Sequence, residues 1–386
     1  MASFLNDELD PFRSLPVLHC IFYKRVSALA HPLLNNHQMA LDVDRIGARD
    51  ALLNYLEPYV FGDKVAVEYL LVHLVSKIRA RDEAVQTGNI PLNIANISTA
   101  ASSSSLAVAI ASLLPRVRHI PLSIDFLNKA RMAPGVFVSR EYWKEMQNDL
   151  AKAHAGGSGD IEGAVHEHEL NVCGLVSGEL QLVDRTYVIV DEVGLEPGTL
   201  KEQGVVNVRH IEEAMQFAQL PFAIGNGVGS PDHTVSEIPV DFSFLVLSQG
   251  KCLFDVACAL PLVPQVVAVP TSVSDVPSRG LDLNPLRAYL GAVTANNDYT
   301  ISAAMNEVLT THFITTRKQT ASNGEPLYTQ EAFKLRMEIA RNWSLLSGES
   351  MLTMEAWEKS GEMEVERMRR CKGMQTGRMS EASAGR

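Results

Sequence analysis

Cysteine is scarce in this sequence, and basic residues are outnumbered by acidic ones. Five cysteines occur among 386 residues, and their spacing matches no zinc-binding motif. Their odd number and scattered positions are typical of reduced thiols in a nuclear or cytoplasmic protein. No zinc site is therefore predicted. The cysteines are Cys20, Cys173, Cys252, Cys258 and Cys371.

The shortage of basic residues limits the classes of partner. There are 34 lysines and arginines against 45 acids, which gives a net charge of −11. Such a charge disfavours non-specific association with phosphate backbones. Residues 210–250 contain no Lys or Arg, although they include a predicted hairpin that would approach DNA. A DNA-binding module is accordingly disfavoured, no direct DNA binding is expected, and proteins are the expected partners.

Long hydrophobic runs are also missing. No apolar run approaches the length that spans a bilayer, and the stretch MASFLNDELDPF lacks the basic and apolar regions of a signal peptide. We expect a soluble protein with no membrane partner. With 46% hydrophobic residues over 386 positions, the composition suffices for one large or two ordinary globular domains.

One apolar run ends in two adjacent acids. Within GELQLVDRTYVIVDEVGLEPG, residues 178–198, the run 187–190 is followed by Asp191 and Glu192. A short β-branched run between turn residues predicts a strand buried on both faces of a parallel sheet. Ligands of such sheets bind at the carboxyl ends of the strands, where an Asp-Glu pair would handle Mg²⁺ and an attacking water. This is a Walker B pattern, and a buried strand followed by an acidic turn is the plainer alternative.

The phosphate-binding loop that accompanies a Walker B strand is missing from the sequence. Such a loop needs glycines, a lysine and a Ser or Thr. Between a strand predicted at 90–97 and a helix predicted at 102–113, residues 98–105 supply hydroxyls but no glycine. No lysine occurs between Lys77 and Lys129. We interpret 98–105 as a short polar connection, the alternative being a helix N-cap that binds an anion weakly.

A second apolar strand, predicted at 242–247, ends at Ser248. In ATPases of this kind a polar sensor at the end of such a strand touches the γ-phosphate. Ser248 is therefore a candidate sensor, and an ordinary polar turn is the alternative.

The remaining patterns complete an α/β domain. They predict a first strand at 15–23, further strands at 119–124 and 260–269, a helix at 207–219, and a hairpin joining 222–224 to 238–240. A surface insertion is predicted at 139–169. It contains His166-Glu167-His168, but no further ligand is evident, so no metal site is predicted.

Beyond residue 284 the pattern is helical throughout. Helices are predicted at 286–295, 300–316, 329–346 and 353–371, the last three opening on threonine. Arg367, Arg369, Arg370 and Lys372 are expected to end the last helix and complement its dipole, a nucleic-acid patch being the alternative. The expected organisation is an N-terminal strand and loops at 1–46, an α/β domain at 47–283, a helical lid at 284–372 and a flexible tail at 373–386.

Long, collinear motifs give the chain a family resemblance from about residue 15 to residue 372. They are GDKVAVEYLLVHLVSK at 62–77, LVSGELQLVDRTYVIVDEVGLEPGTLKEQGVVNV at 175–208, VLSQGKCLF at 246–254, and the lid segment 328–357. The chain resembles the minichromosome maintenance complex-binding protein family. The resemblance implies an AAA+-like three-layer α/β domain with a parallel sheet and a helical lid. Family members normally carry a further N-terminal region, which this chain is expected to lack.

The same resemblance implies the function. It indicates a nuclear protein that binds subunits of the minichromosome maintenance helicase, with an indirect association with chromatin. The implied processes are DNA replication, through helicase assembly, unloading or subunit chaperoning, and sister-chromatid cohesion.

Two hypotheses about activity remain open at this point. In the first, the protein is a non-enzymatic pseudo-ATPase without cofactor or metal, and Asp191 and Glu192 accept hydrogen bonds from the segment 98–105. Its contacts with the helicase would be the lid and the hairpin, and the α/β domain would stay folded without the lid. In the second, an active Mg²⁺-dependent ATPase has an atypical phosphate loop, Asp191 holds Mg²⁺ through water, and Glu192 polarises the attacking water.

Overall fold

The structure, a computed structural model, describes residues 45–82, 85–138, 173–224, 234–265, 282–296, 298–323 and 327–384. Its helices are α1 (Arg45–Leu56), α2 (Lys64–Leu74), α3 (Ala100–Leu113), α4 (Ile124–Lys129), α5 (Glu202–Gln216), α6 (Asn284–Ala295), α7 (Ala303–Ser322), α8 (Gln330–Leu346) and α9 (Met354–Ala384). Its strands are β1 (Ala80–Asp82), β2 (Val85–Thr87), β3 (Leu92–Ala95), β4 (Val117–Pro121), β5 (Gly135–Val138), β6 (Cys173–Val176), β7 (Thr186–Asp191), β8 (Gln219–Ile224), β9 (Thr234–Pro239), β10 (Phe242–Leu247) and β11 (Cys258–Pro261). The predicted first strand, 15–23, and the predicted insertion, 139–169, lie outside the described residues.

Five strands form a sheet in the order β11-β3-β10-β7-β4, and every neighbouring pair is parallel. All six residues of β7 are buried, which confirms the prediction of a strand buried on both faces. The order in the sheet differs from the order in the chain, because β3 lies between β10 and β11. The chain therefore crosses over the sheet beside β3. In open α/β sheets the ligand crevice forms at such a crossover.

Side chains of β7 alternate between two hydrophobic clusters. Tyr187 and Ile189 pack in a cluster that includes residues of α1, α2, α3 and α6. Val188 and Val190 pack in a second cluster, with residues of α4 and α5. Because successive side chains of a strand point to opposite faces, helices cover both faces of the sheet. The predicted three-layer α/β domain is confirmed.

A second sheet has the order β6-β5-β8-β9. β8 and β9 are antiparallel, with Phe222 opposite Ser236 and Leu220 opposite Ile238. The predicted hairpin is therefore confirmed, although both of its strands extend beyond the predicted residues. β5 and β6 also pair antiparallel, whereas β5 and β8 are parallel.

Helices α6 to α9 follow the sheets, and two of their threonine starts are confirmed. The side chain of Thr329 caps α8, and that of Thr353 accepts a backbone N–H in the first turn of α9. The predicted start at Thr300 is wrong, because α7 begins at Ala303 and Ser302 caps it. Within the described ranges, no helix combines the length and the apolar character needed to cross a membrane.

Helix α9 does not end at its basic cluster. It continues to Ala384, so the arginines lie inside the helix and cannot complement its C-terminal dipole as predicted. The side chain of Arg370 is 6% exposed and pairs with Asp63, and that of Arg367 is 9% exposed and pairs with Glu364. These two arginines are buried structural residues, which also argues against the nucleic-acid alternative.

The lid and the α/β domain share one hydrophobic core. Leu290 of α6, Leu346 of α8 and Met363 of α9 belong to the same buried cluster as Ile189 of β7. Removing residues 284–386 would expose this cluster to water, at a cost of about 25 cal/mol per Å² of apolar surface. The shared core argues against the expectation that the α/β domain folds without the lid. Contacts made by the lid are therefore better tested with single substitutions.

Candidate functional site

The carboxyl edge of the parallel sheet brings together the residues singled out in the sequence. Asp191 ends β7 and lies opposite Leu247, which ends β10. Glu192 and Ser248 follow directly, and the Glu192 N–H donates to the Leu247 carbonyl oxygen at 2.8 Å. The Ser248 N–H donates to the carbonyl oxygen of Ile94 in β3 at 3.0 Å. All three candidate residues therefore lie at one edge of the sheet, beside the crossover.

Asp191 is buried, and both of its carboxylate oxygens are engaged within the chain. Oδ2 accepts a hydrogen bond from the Ser103 hydroxyl at 2.6 Å and lies 3.1 Å from His119 Nε2. Oδ1 accepts the Val193 N–H at 3.0 Å. A buried carboxylate without such donors would cost several kcal/mol, so these contacts make the side chain an anchor between β7, β4 and α3. The hydrogen bond expected from the segment 98–105 is present.

The same contacts determine the pKa of the Asp191 carboxyl. Burial by itself raises the pKa of the Asp191 carboxyl, but the hydrogen bonds from His119, Ser103 and Val193 together outweigh burial and hold the pKa below its ordinary value. His119 is a partner of Asp191 that no sequence motif indicates. It lies in β4, opposite Ile189 of β7, and a pattern of residues does not reveal which strands become neighbours.

Glu192 is also buried but takes its hydrogen bonds from another segment. The Leu253 N–H donates to both carboxylate oxygens at 3.1 Å, and the Cys252 thiol donates to Oε1 at 3.4 Å. Burial raises the pKa of Glu192, the Leu253 and Cys252 bonds oppose this, and the charge of Asp191 adds to it, so the net shift is upward. Burial and the charge of Glu192 raise the pKa of Cys252 to about 12, so the thiol keeps its proton. Glu192 is thus hydrogen-bonded to residues 252–253. The expectation that it accepts hydrogen bonds from the segment 98–105 is wrong.

Ser248 is buried, and its hydroxyl points into the fold. Its Oγ donates to Asn93 Oδ1 at 3.0 Å, which ties β10 to β3. A second, longer contact reaches the Gly250 carbonyl oxygen at 3.5 Å. The role of Ser248 as a sensor stays a prediction.

The connection between β3 and α3 is short. β3 ends at Ala95 and α3 begins at Ala100, so only residues 96–99 separate them. A Walker A motif runs over about eight positions and contains two glycines, so that its backbone N–H groups can surround the phosphates. Asn96 turns the chain here with a φ of 67°, and the connection contains neither glycine nor lysine.

The serine run belongs to a helix. Thr99 caps α3 by accepting the Ser102 N–H, and the serines that follow occupy its first turns. The interpretation of 98–105 as a polar connection is therefore wrong for all but its first two residues. Because the run is helical, Ser103 faces the sheet and is fully buried, where it reaches Asp191.

A cavity of about 360 Å³ opens beside Glu192, and we call it the carboxyl-edge cavity. Ser248, Lys251 and Leu253 also line it. Its volume is at the lower end of the range for small-molecule sites. Among the described residues, no group of three or more His, Cys, Asp or Glu side chains could hold a metal ion. His166-Glu167-His168 lies outside those residues.

The fold and this edge define a class of protein. It is a three-layer parallel α/β protein with helices packed behind it, in which the acidic strand end is hydrogen-bonded within the chain. The family model described as mini-chromosome maintenance replisome factor matches residues 7–371. The chain belongs to this family.

Individual relatives carry a related name. The chain is 25% identical to a mini-chromosome maintenance complex-binding protein of Arabidopsis thaliana over 373 residues, 93% of this chain and 53% of that protein. Its identity to the protein of that name from Salmo salar is 25% over 376 residues, 94% of this chain and 53% of the relative. For the Homo sapiens protein the identity is 23% over 323 residues, covering 82% and 43%. The chain thus spans about half the length of the curated relatives it matches.

Proposed function

We propose that this chain is a non-enzymatic binding protein of the minichromosome maintenance helicase. It acts in the nucleus, in helicase assembly, unloading or subunit chaperoning during DNA replication, and in sister-chromatid cohesion. The observation that carries the proposal is the hydrogen bonding of Asp191 and Glu192 by groups of the chain itself. The relatives support the choice of partner, because each is named as binding the minichromosome maintenance complex.

Hydrolysis by a Walker B pair needs carboxylates that can turn to a metal and a water. One acid holds Mg²⁺ and the other orients the nucleophile. Asp191 would have to give up bonds to Ser103, His119 and Val193 before it could hold a metal. The connection at 96–99 offers few backbone N–H groups for phosphates, since it is short. Both features favour a pseudo-ATPase.

An active ATPase with an atypical phosphate site is the alternative. The observation that favours it is the carboxyl-edge cavity, in which Lys251 and Glu192 line the same space. There Lys251 would supply the positive charge that the 96–99 connection lacks.

We expect ATP turnover by the wild type to be no faster than turnover by Glu192→Gln. A glutamine can still accept the Leu253 N–H, so this variant should keep its stability to within about 1 kcal/mol. The measurement is phosphate release with Mg²⁺, together with titration of a fluorescent ATP analogue. Saturable micromolar binding, with turnover lost in Glu192→Gln and weakened in Lys251→Gln, would establish the alternative.

Helix α7 offers a surface for the helicase partner. It has 20 residues, of which only Met305 and Leu309 are buried, whereas α8 buries seven of 17. Val308 and Ile314 are 38% and 48% exposed. A stable interface buries on the order of 800 Å² per partner, more than one helix face supplies. The exposed residues 236–239 of the hairpin would provide the second flank.

Val308→Asp is expected to weaken capture of helicase subunits about tenfold or more, because it places a charge in the apolar part of the contact. A pull-down against each subunit, quantified by titration, measures the effect and identifies the subunit. Val183→Asp is the matched control, since Val183 is 64% exposed and lies ahead of β7. If folded Val308→Asp captures the subunits as the wild type does, α7 is not the contact, and Ile238→Asp then tests the hairpin.

A further inference from the structure

A second cavity, of about 300 Å³, lies at the opposite edge of the parallel sheet, and we call it the amino-edge cavity. Arg185 and Asp241, which line it, directly precede β7 and β10. A six-residue strand is on the order of 20 Å long, so this cavity is a separate site from the carboxyl-edge cavity. The α/β domain contributes one wall, and Thr294 of α6 contributes to another.

The charges around the amino-edge cavity are unlike those of the whole chain. Among the residues that the structure describes, Lys77, Arg116 and Arg185 line it, against one carboxylate, Asp241. This local excess of positive charge occurs in a chain whose net charge is −11. Clefts lined by one sign of charge focus the electrostatic field and concentrate ligands of the opposite sign. The cavity therefore favours anions.

The pKa of Lys77 reflects the surrounding positive charge. Burial lowers the pKa of Lys77, the charges of Arg185, Arg341 and Arg79 lower it further, and Asp241 opposes them, which leaves the pKa at about 8. An anion in the cavity would relieve the repulsion among these cations. Proton binding at Lys77 and anion binding are therefore expected to reinforce each other.

Arg185 has the chemistry and the freedom to bind an anion. Its φ of 61° lies in the left-handed region, which a residue other than glycine rarely adopts and which is enriched at functional sites. The side chain is 55% exposed, and its Nε lies 3.9 Å from Asp241 Oδ2, a long and weak ion pair. The planar fork of a guanidinium matches the oxygens of a phosphate group. Ser243 adds a hydroxyl to the same wall.

We propose that the amino-edge cavity binds a small phosphate-bearing anion, held by Arg185, Arg116 and Lys77. The volume of the cavity suits a ligand at the small end of the usual range. The residues that line this cavity belong neither to α7 nor to β8 and β9, although Asp241 follows β9 by two residues, so the site is distinct from the proposed helicase contacts.

The pH dependence of binding follows from the titration of the phosphate group and of Lys77. A phosphate monoester becomes a dianion above about pH 6, and Lys77 loses its proton above about pH 8. Binding is therefore strongest between these values and weakens on both sides. Sulfate is a dianion over the whole range, so its binding should fall only on the alkaline side.

Isothermal titration of the full chain with methyl phosphate tests the proposal, at an ionic strength held constant with NaCl. We expect saturable binding at pH 7 that becomes roughly tenfold weaker in Arg185→Gln and in Arg116→Gln, because each removes a charged donor. Lys251→Gln, in the carboxyl-edge cavity, is the matched control and should bind as the wild type does. Circular dichroism checks that each variant is folded. If Arg185→Gln does not fold, Arg116→Gln decides.

Three results would overturn the proposal. The first is the absence of saturable binding at constant ionic strength. The second is a pattern of variants that does not match the site. Either the folded arginine variants bind methyl phosphate as tightly as the wild type does, or Lys251→Gln alone loses affinity. The third is sulfate binding that stays constant from pH 6 to well above the pKa of about 8 of Lys77, because that lysine would then play no part.

Discussion

Replacing Arg370 with methionine is expected to lower the free energy of unfolding by about 3–5 kcal/mol. Arg370 Nη1 lies 2.5 Å from Asp63 Oδ2, and Nη2 lies 3.1 Å from Oδ1, a two-pronged contact. The two side chains are 6% and 2% exposed. Methionine replaces the apolar stem of Arg370 but leaves the charge of Asp63 buried without its cation, which is the costly half of a broken ion pair.

The Asp63 carboxylate cannot avoid this cost by rotating into solvent. Its Oδ1 accepts the N–H groups of Val65 and Ala66 and so caps α2. Its Oδ2 also accepts the Val263 N–H at 2.9 Å, just beyond β11. The carboxylate therefore stays in place in the Arg370→Met variant, as an unpaired buried charge.

Urea denaturation of the wild type and Arg370→Met gives the difference directly. Arg369→Met is the matched control, because the Arg369 side chain is 68% exposed and its partner among the described residues is Glu366, on the same helix. Its effect should stay within about 0.5 kcal/mol. Adding Asp63→Asn to Arg370→Met should recover part of the lost stability. Equal stability of the two methionine variants would mean that the buried pair does not hold α9 to the α/β domain.

Replacing Asp191 with alanine is expected to lower the free energy of unfolding by about 2 kcal/mol at pH 7. The Val193 N–H loses its acceptor in a buried place, and His119 and Ser103 lose theirs at the sheet edge. The pKa of Asp191 is depressed, so its charged form stabilises the fold at pH values above the ordinary aspartate pKa of about 3.9. This contribution disappears as the pH falls through the lower pKa of the folded state.

Thermal unfolding of the wild type and Asp191→Ala at pH 7 and near pH 3 tests both statements. The difference in Tm should be largest at pH 7 and should shrink in acid. Ser103→Ala should cost less, because Asp191 keeps its bonds to His119 and Val193. If Asp191→Ala keeps its stability at pH 7 yet no longer captures helicase subunits, Asp191 is a partner contact instead of an anchor.

The features that local patterns could predict are those with local causes. A β-branched run between turns makes a buried strand, and so the position of Asp191 at a strand end followed from residues 187–190 alone. The hydrogen bond from Ser103 to Asp191 could be predicted in the same way, because the segment that leads from β3 into α3 must meet the sheet at its carboxyl edge.

Pairings between residues far apart in the chain could not be predicted from local patterns. Asp63 and Arg370 lie 307 residues apart, and nothing near Arg370 distinguishes a buried arginine from the solvated ones beside it. The dipole interpretation failed for that reason, and also because α9 continues through Gly373, a residue type that often ends helices, to Ala384. His119 is a similar case, since its role depends on which strand lies next to β7.

The position of β3 inside the sheet has a consequence for synthesis of the chain. The bond between Asn93 and Ser248 joins residues 155 positions apart. At the usual pace of translation, both edges of β3 stay without partners for on the order of ten seconds after it leaves the ribosome. Unpaired strand edges recruit strands from other chains. A nascent chain of this protein is thus exposed to aggregation through β3 in the interval before β10 emerges.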